Sequence, residues 1–83
     1  MWHEIINILS ASGTWMNKYE IADIICSTTG LHVTPEQVYS AIKYQWDKDN
    51  CSIYADWDSY HRQYVYNVDL EYYKQYINGI CGV

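Results

Sequence analysis

Residues 30–68 read GLHVTPEQVYSAIKYQWDKDNCSIYADWDSYHRQYVYNV, and a change of period inside this stretch decides the fold. Its first half is helical. Thr34 is an N-cap, Pro35 takes the first helical position, and Gln37 completes a T-x-x-Q capping box. Val38, Ala41, Ile42 and Trp46 then recur at helical spacing and mark an inward face. Asp47, Lys48, Asp49 and Asn50 end the run. From there apolar and polar residues alternate, so residues 51–57 and 60–68 read as two strands around Asp58-Ser59. A two-residue turn sets Trp57 opposite Tyr60, Ala55 opposite Arg62 and Ile53 opposite Tyr64. One face then holds Cys51, Ile53, Ala55, Trp57, Tyr64 and Tyr66; the other holds Ser52, Tyr54, Asp56, His61, Gln63 and Val65. A four-residue loop changes the register but leaves these residues on the same faces.

Working back from this stretch, a second capping box appears. Asn17 caps a helix and Glu20 closes the box. Ile21, Ile24 and Ile25 line one face, with Ala22 beside them; Thr28, Thr29 and Gly30 are expected to break the helix. Leu31 and Val33 are apolar turn residues expected to plug the core. Residues 2–11 put Trp2, Ile5, Ile6 and Leu9 on another helical stripe, stopped by Ser12-Gly13. Residues 14–16 are expected to form a very short strand. Beyond the hairpin, Asp69 caps a short C-terminal helix with Leu70, Tyr73, Ile77 and Ile80 on one side; Gly79 and Gly82 suggest a frayed end.

Composition narrows the classes. At 83 residues the chain builds one core and one domain, residues 1–83. With 49% hydrophobic residues, disorder is not expected. No stretch approaches the roughly 20 apolar residues of a membrane helix. Residues 1–9 carry Glu4 and no Lys or Arg, unlike a secretory signal. Cys26, Cys51 and Cys81 are odd in number and lack CxxC spacing, which fits a reduced, cytoplasmic setting. Ten acids against five bases leave a net charge of −5, a thin cation supply for a partner of nucleic acid. Ten Tyr and four Trp pair apolar rings with polar handles, which suits surfaces half buried against a partner or a Tyr-filled core.

The order helix, tiny strand, helix, turn, helix, hairpin, helix resembles the winged helix-turn-helix superfamily over residues 2–68. The pair of helices at 18–28 and 34–47, the connecting Gly30-Leu31-His32-Val33 and the hairpin that follows carry the resemblance. It implies an α+β fold: three helices, a β-hairpin wing and a short C-terminal helix. The small size also resembles proteins of phages, prophages or plasmids. In that superfamily the second helix of the pair usually enters the major groove. The resemblance thus assigns duplex DNA contacts to Gln37, Ser40, Lys43 and Tyr44 on that helix, beside Glu36, Tyr39 and Asp47, and to His61, Arg62 and Gln63 on the wing. Gln37 suits an adenine edge and Lys43 a phosphate or guanine; Ser40 and Tyr44 suit phosphates. This reading is a small transcriptional regulator, acting as a dimer, with Trp2, Trp15, Tyr72 and Tyr76 as candidates for the dimer or partner face.

The acids support a second reading. Asp47, Asp49, Asp56 and Asp58 are expected to gather near the end of the third helix and the hairpin tip, where phosphate would be repelled. With Trp57 and Tyr60 they would make a protein-binding surface that docks on a host protein or mimics DNA in a basic channel, as some small phage inhibitors such as anti-CRISPR proteins do. In both readings the plain alternative is a solvated polar face. No GxSxG, HExxH, P-loop or GxGxxG motif appears, so neither an enzyme nor a cofactor is expected. His3, His32, His61 and the cysteines show no ligand-pair spacing, so no metal is expected. Stacking of a single strand on Tyr54, Tyr60, Tyr64 and Tyr66 would require a basic groove, which the sequence does not reveal.

Overall fold

The computed structural model describes residues 1–71 and 74. It is an α+β arrangement of three helices and a two-stranded antiparallel hairpin: α1 (Trp2–Ser12), α2 (Lys18–Thr29), α3 (Pro35–Asp47), β1 (Ile53–Asp58) and β2 (Gln63–Val68). The expected C-terminal helix, with Tyr72, Tyr73, Tyr76, Ile77, Gly79, Ile80, Cys81 and Gly82, lies outside the described residues. Among the described residues, no helix is long and apolar enough to cross a membrane.

Local chemistry places the helix ends. Both capping boxes form: the Asn17 carboxamide accepts from the Glu20 amide at 2.8 Å, and the Thr34 hydroxyl accepts from the Gln37 amide at 3.2 Å. Gly13 and Gly30 end α1 and α2 in the left-handed region, with φ of 63° and 72°, where a Cβ is strained. Thr28 and Thr29 do not break α2. Their hydroxyls donate back to the carbonyls of Ile24 and Ile25, and Gly30 alone stops the helix.

The inward stripes meet as expected. Ile5, Ile6 and Leu9 of α1 pack with Ile21, Ala22 and Ile25 of α2, Val38 and Ile42 of α3, and Ile53 and Tyr66 of the hairpin. Trp2, Ile24, Ala41 and Trp46 border this core half-buried. Of the two turn residues expected in it, only Val33 enters; Leu31 is exposed. Gly30 turns the chain outward at Leu31, and Val33 is drawn back by Cys26. The Cys26 thiol donates to the Val33 carbonyl, and the Val33 amide donates to the same sulfur, both at 3.4 Å.

Residues 14–16 shrink from a strand to one bridge, in which Met16 and Tyr66 exchange amide–carbonyl bonds of 3.0 and 2.7 Å. The Ser12 hydroxyl holds the Thr14 amide and Asn17 is already a cap, so only Trp15 and Met16 are left, and of these Met16 pairs. The bridge sets Met16 on the free side of β2.

The hairpin has a four-residue loop rather than a two-residue turn. Trp57 pairs with Tyr64, Ala55 with Tyr66 and Ile53 with Val68. The Asp58 carboxylate accepts the Tyr60 and His61 amides, and Arg62 takes φ 54° to re-enter the strand. The strand residues keep the faces as read, but the strands begin at Ile53 and Gln63, so Cys51 precedes them and His61 falls in the loop. Cys51, which the alternation places on the face with Ile53, is exposed, and the neighbouring Asn50 and Ser52 are buried instead. The Asn50 side-chain oxygen accepts from the Ser52 amide and hydroxyl, and its nitrogen donates to the Gln45 side chain at 3.1 Å. The Trp46 indole donates to the Ile53 carbonyl at 2.7 Å, and the Asp69 amide to the Ser52 carbonyl. This knot joins the end of α3 to both strands at the hairpin base.

Candidate functional site

On α3, Glu36, Gln37, Ser40, Lys43, Tyr44 and Asp47 all face solvent, as their spacing predicts. Most of their side chains are already engaged. The Gln37 side-chain oxygen accepts from the Thr34 amide at 2.9 Å, so reading an adenine with both ends of that amide would open the cap. Lys43 lies 3.2 Å from the Asp47 carboxylate. Lys18, at the start of α2, lies 3.5 Å from Glu36. Lys48 sits over the Tyr44 ring at 4.8 Å.

The predicted hairpin residues divide. His61 points its ring nitrogen at Asp58, 2.7 Å away. Gln63 is half-buried, while Arg62 is exposed with no ion pair among the described residues. The four aspartates do not gather. Asp47 and Asp49 precede the hairpin base, whereas Asp56 and Asp58 lie within β1, about 10 and 17 Å from its start at strand rise. Asp56 and Asp58 instead join Glu20, Trp15 and Trp57 along a groove of ≈ 640 Å³. Trp15 also meets Tyr54 edge to face, with centroids 5.2 Å apart. Tyr60, at the loop, is 87% exposed.

Asp58 carries the clearest perturbation in this region. The hydrogen bond from His61 holds its carboxyl below the ordinary 3.8, helped by the loop amides of His61 and Tyr60. A depressed carboxyl supports the folded loop above its unfolded value, and that support is lost as pH falls through the folded value. We expect the Asp58 carboxyl carbon to titrate below 3.8 by NMR, and His61→Ala to move it upward. An unchanged titration in that variant would remove His61 as the cause. Tyr66 shifts the other way: burial raises its hydroxyl above 10.0.

A second groove adjoins the first and shares Asn17, Trp57 and Gln63 with it. Lys18 and Tyr19 from α2, Tyr39 from α3 and Trp57, Arg62 and Tyr64 from the hairpin line ≈ 420 Å³. Trp57 and Tyr64 meet edge to face at 4.9 Å, and the Lys18 ammonium lies over the Tyr19 and Tyr39 rings at 5.5 and 6.0 Å. Neither Lys18 nor Tyr19 stands out in the sequence. The available signal was their position in the first turn after the Asn17 cap, an end that packs near the hairpin tip. Among the described residues, no three His, Cys, Asp or Glu side chains converge as metal ligands would. Compared with known proteins, the chain matches no family model, no curated protein and no solved structure.

Proposed function

We propose that this chain is a winged helix-turn-helix domain that acts without catalysis as a protein-binding module. Two helices joined by a tight turn, a hairpin directly after them and the Met16–Tyr66 bridge support the winged-helix reading. The observation that carries the protein-binding reading is the exposed face of α3. Lys43 is matched by Asp47, Glu36 adds a second exposed carboxylate to the helix, and the Gln37 oxygen is committed to the cap. A duplex docked there would meet two carboxylates for one lysine on the helix itself, whereas phosphate binding rests on released counterions and spare cations. Glu20, Asp56 and Asp58, flanked by Trp15 and Trp57, instead suit lysine or arginine side chains, which indole faces also attract. The partner is thus a protein with a basic surface, such as a nucleic-acid-binding channel, and the domain would inhibit it by occupying that surface.

A specific observation favours a second reading, duplex DNA recognition by a small regulator. Arg62 is presented without an ion pair among the described residues, and the Ser40 side chain is exposed on α3. Anisotropy of labelled duplex DNA over several salt concentrations separates the two. We expect no saturable duplex binding at low salt, together with capture of a basic protein that Asp56→Asn/Asp58→Asn weakens. Duplex binding that falls steeply with salt and weakens in Lys43→Ala and Arg62→Ala would overturn the protein-binding reading.

A further inference from the structure

The groove between the start of α2, α3 and the hairpin differs in charge from the rest of the molecule. The chain has ten acids and five Lys or Arg, yet Lys18 and Arg62 both line this groove and, among the described residues, no carboxylate does. Its rings are open: Tyr19, Trp57 and Tyr64 are 54%, 51% and 57% exposed. Glu36 reaches Lys18 at 3.5 Å from outside the groove and leaves the ammonium over the Tyr19 and Tyr39 rings, on the groove side. A volume of ≈ 420 Å³ falls within the roughly 300–1,000 Å³ usual for ligand sites.

We propose that this groove binds a short stretch of single-stranded nucleic acid. Bases stack on Trp57, Tyr64 and Tyr19, while Lys18 and Arg62 take the phosphates. A nucleotide presents both things the groove offers to bind, a flat ring and a negative charge. An acidic peptide would engage the cations and leave most of the rings bare. A duplex keeps its bases stacked on one another and so withholds them from the rings. Aromatic platforms beside a cationic track are the usual means of holding single strands. The footprint is short, because the adjoining groove shares Trp57 and Gln63 and carries Glu20, Asp56 and Asp58, which repel further phosphates.

The test is anisotropy of a labelled thymidylate strand of about ten nucleotides, a length within single-strand site sizes. With two phosphates held, log affinity should fall against log salt with a slope of about −1.4, at roughly 0.7 for each phosphate. Arg62→Gln should bring the slope to about −0.7. Trp57→Leu should weaken binding roughly ten- to hundredfold, the usual range for losing one stacked base. Circular dichroism checks that each variant is folded, and Arg62→Gln, on the loop, carries the test if Trp57→Leu is not. No binding at the lowest salt, or binding unchanged in the folded variants, overturns the proposal. So does equal competition by a duplex of the same length or by the thymidine mononucleotide.

Discussion

Replacing Asn50 with alanine should cost the fold about 2–4 kcal/mol, seen as a fall in urea midpoint and a melting temperature lower by roughly 10–25 °C. Asn50 is fully buried, and its side chain makes three hydrogen bonds, to Gln45 and to the amide and hydroxyl of Ser52. Alanine removes all three and leaves the Ser52 amide and hydroxyl buried without their acceptor. The penalty is the desolvation of those orphaned groups, about 1–3 kcal/mol for each one left unsatisfied, rather than the modest net value of an exchanged bond. A domain of this length has about 4–12 kcal/mol in total, so the variant should sit near the edge of folding. An unchanged midpoint would mean that water replaces the carboxamide and that the knot is not what fixes the hairpin base.

Ile53→Ala should cost about 2–5 kcal/mol, the range for deleting three buried carbons and leaving a partly collapsed cavity. Ile53 is fully buried where β1 meets the helices, and its carbonyl takes the Trp46 indole bond. Loss here should loosen the hairpin before the helices. Hydrogen exchange should therefore quicken in β1 and β2 more than in α1. Tyr60→Ala is the contrast: the ring is 87% exposed, and surface changes of this kind stay within about 0.5 kcal/mol. If Ile53→Ala melts like Tyr60→Ala, the hairpin is not packed on the core as described.

The sequence shows plainly what depends on near neighbours. The two capping boxes, the helical stripes and the alternation of the strands all rest on residues a few positions apart, and all formed. Misread features involve competition between local and distant partners. Leu31 and Val33 look alike in the sequence; only the Cys26 thiol, on the preceding helix, selects Val33 for the interior. Arg62 is not a residue that announces a positive φ, so nothing local distinguished a four-residue loop from a two-residue turn. Asn50 reads only as one of four polar residues that end a helix, and it is buried because Gln45 and Ser52 complete its bonds. The outward positions of α3 were legible, while their ion pairs and the cap held by Gln37 depend on side-chain geometry that spacing does not encode. The meeting of Lys18 with Arg62 was the least legible, since those residues lie far apart in the chain and come together only through the fold.

The Met16–Tyr66 bridge also has a consequence for how copies of this protein meet. Met16 covers part of the outer side of β2, while β1 is paired only with β2 among the described residues. The remaining side of β1 is thus an edge strand, the kind of surface on which a second copy can add a strand and begin a stack. Asp56 and Asp58 lie on that strand, and like charges brought into register there repel. These two carboxylates therefore also guard the edge against identical molecules zipping together, and any variant that neutralises both gives up that protection along with the proposed binding surface.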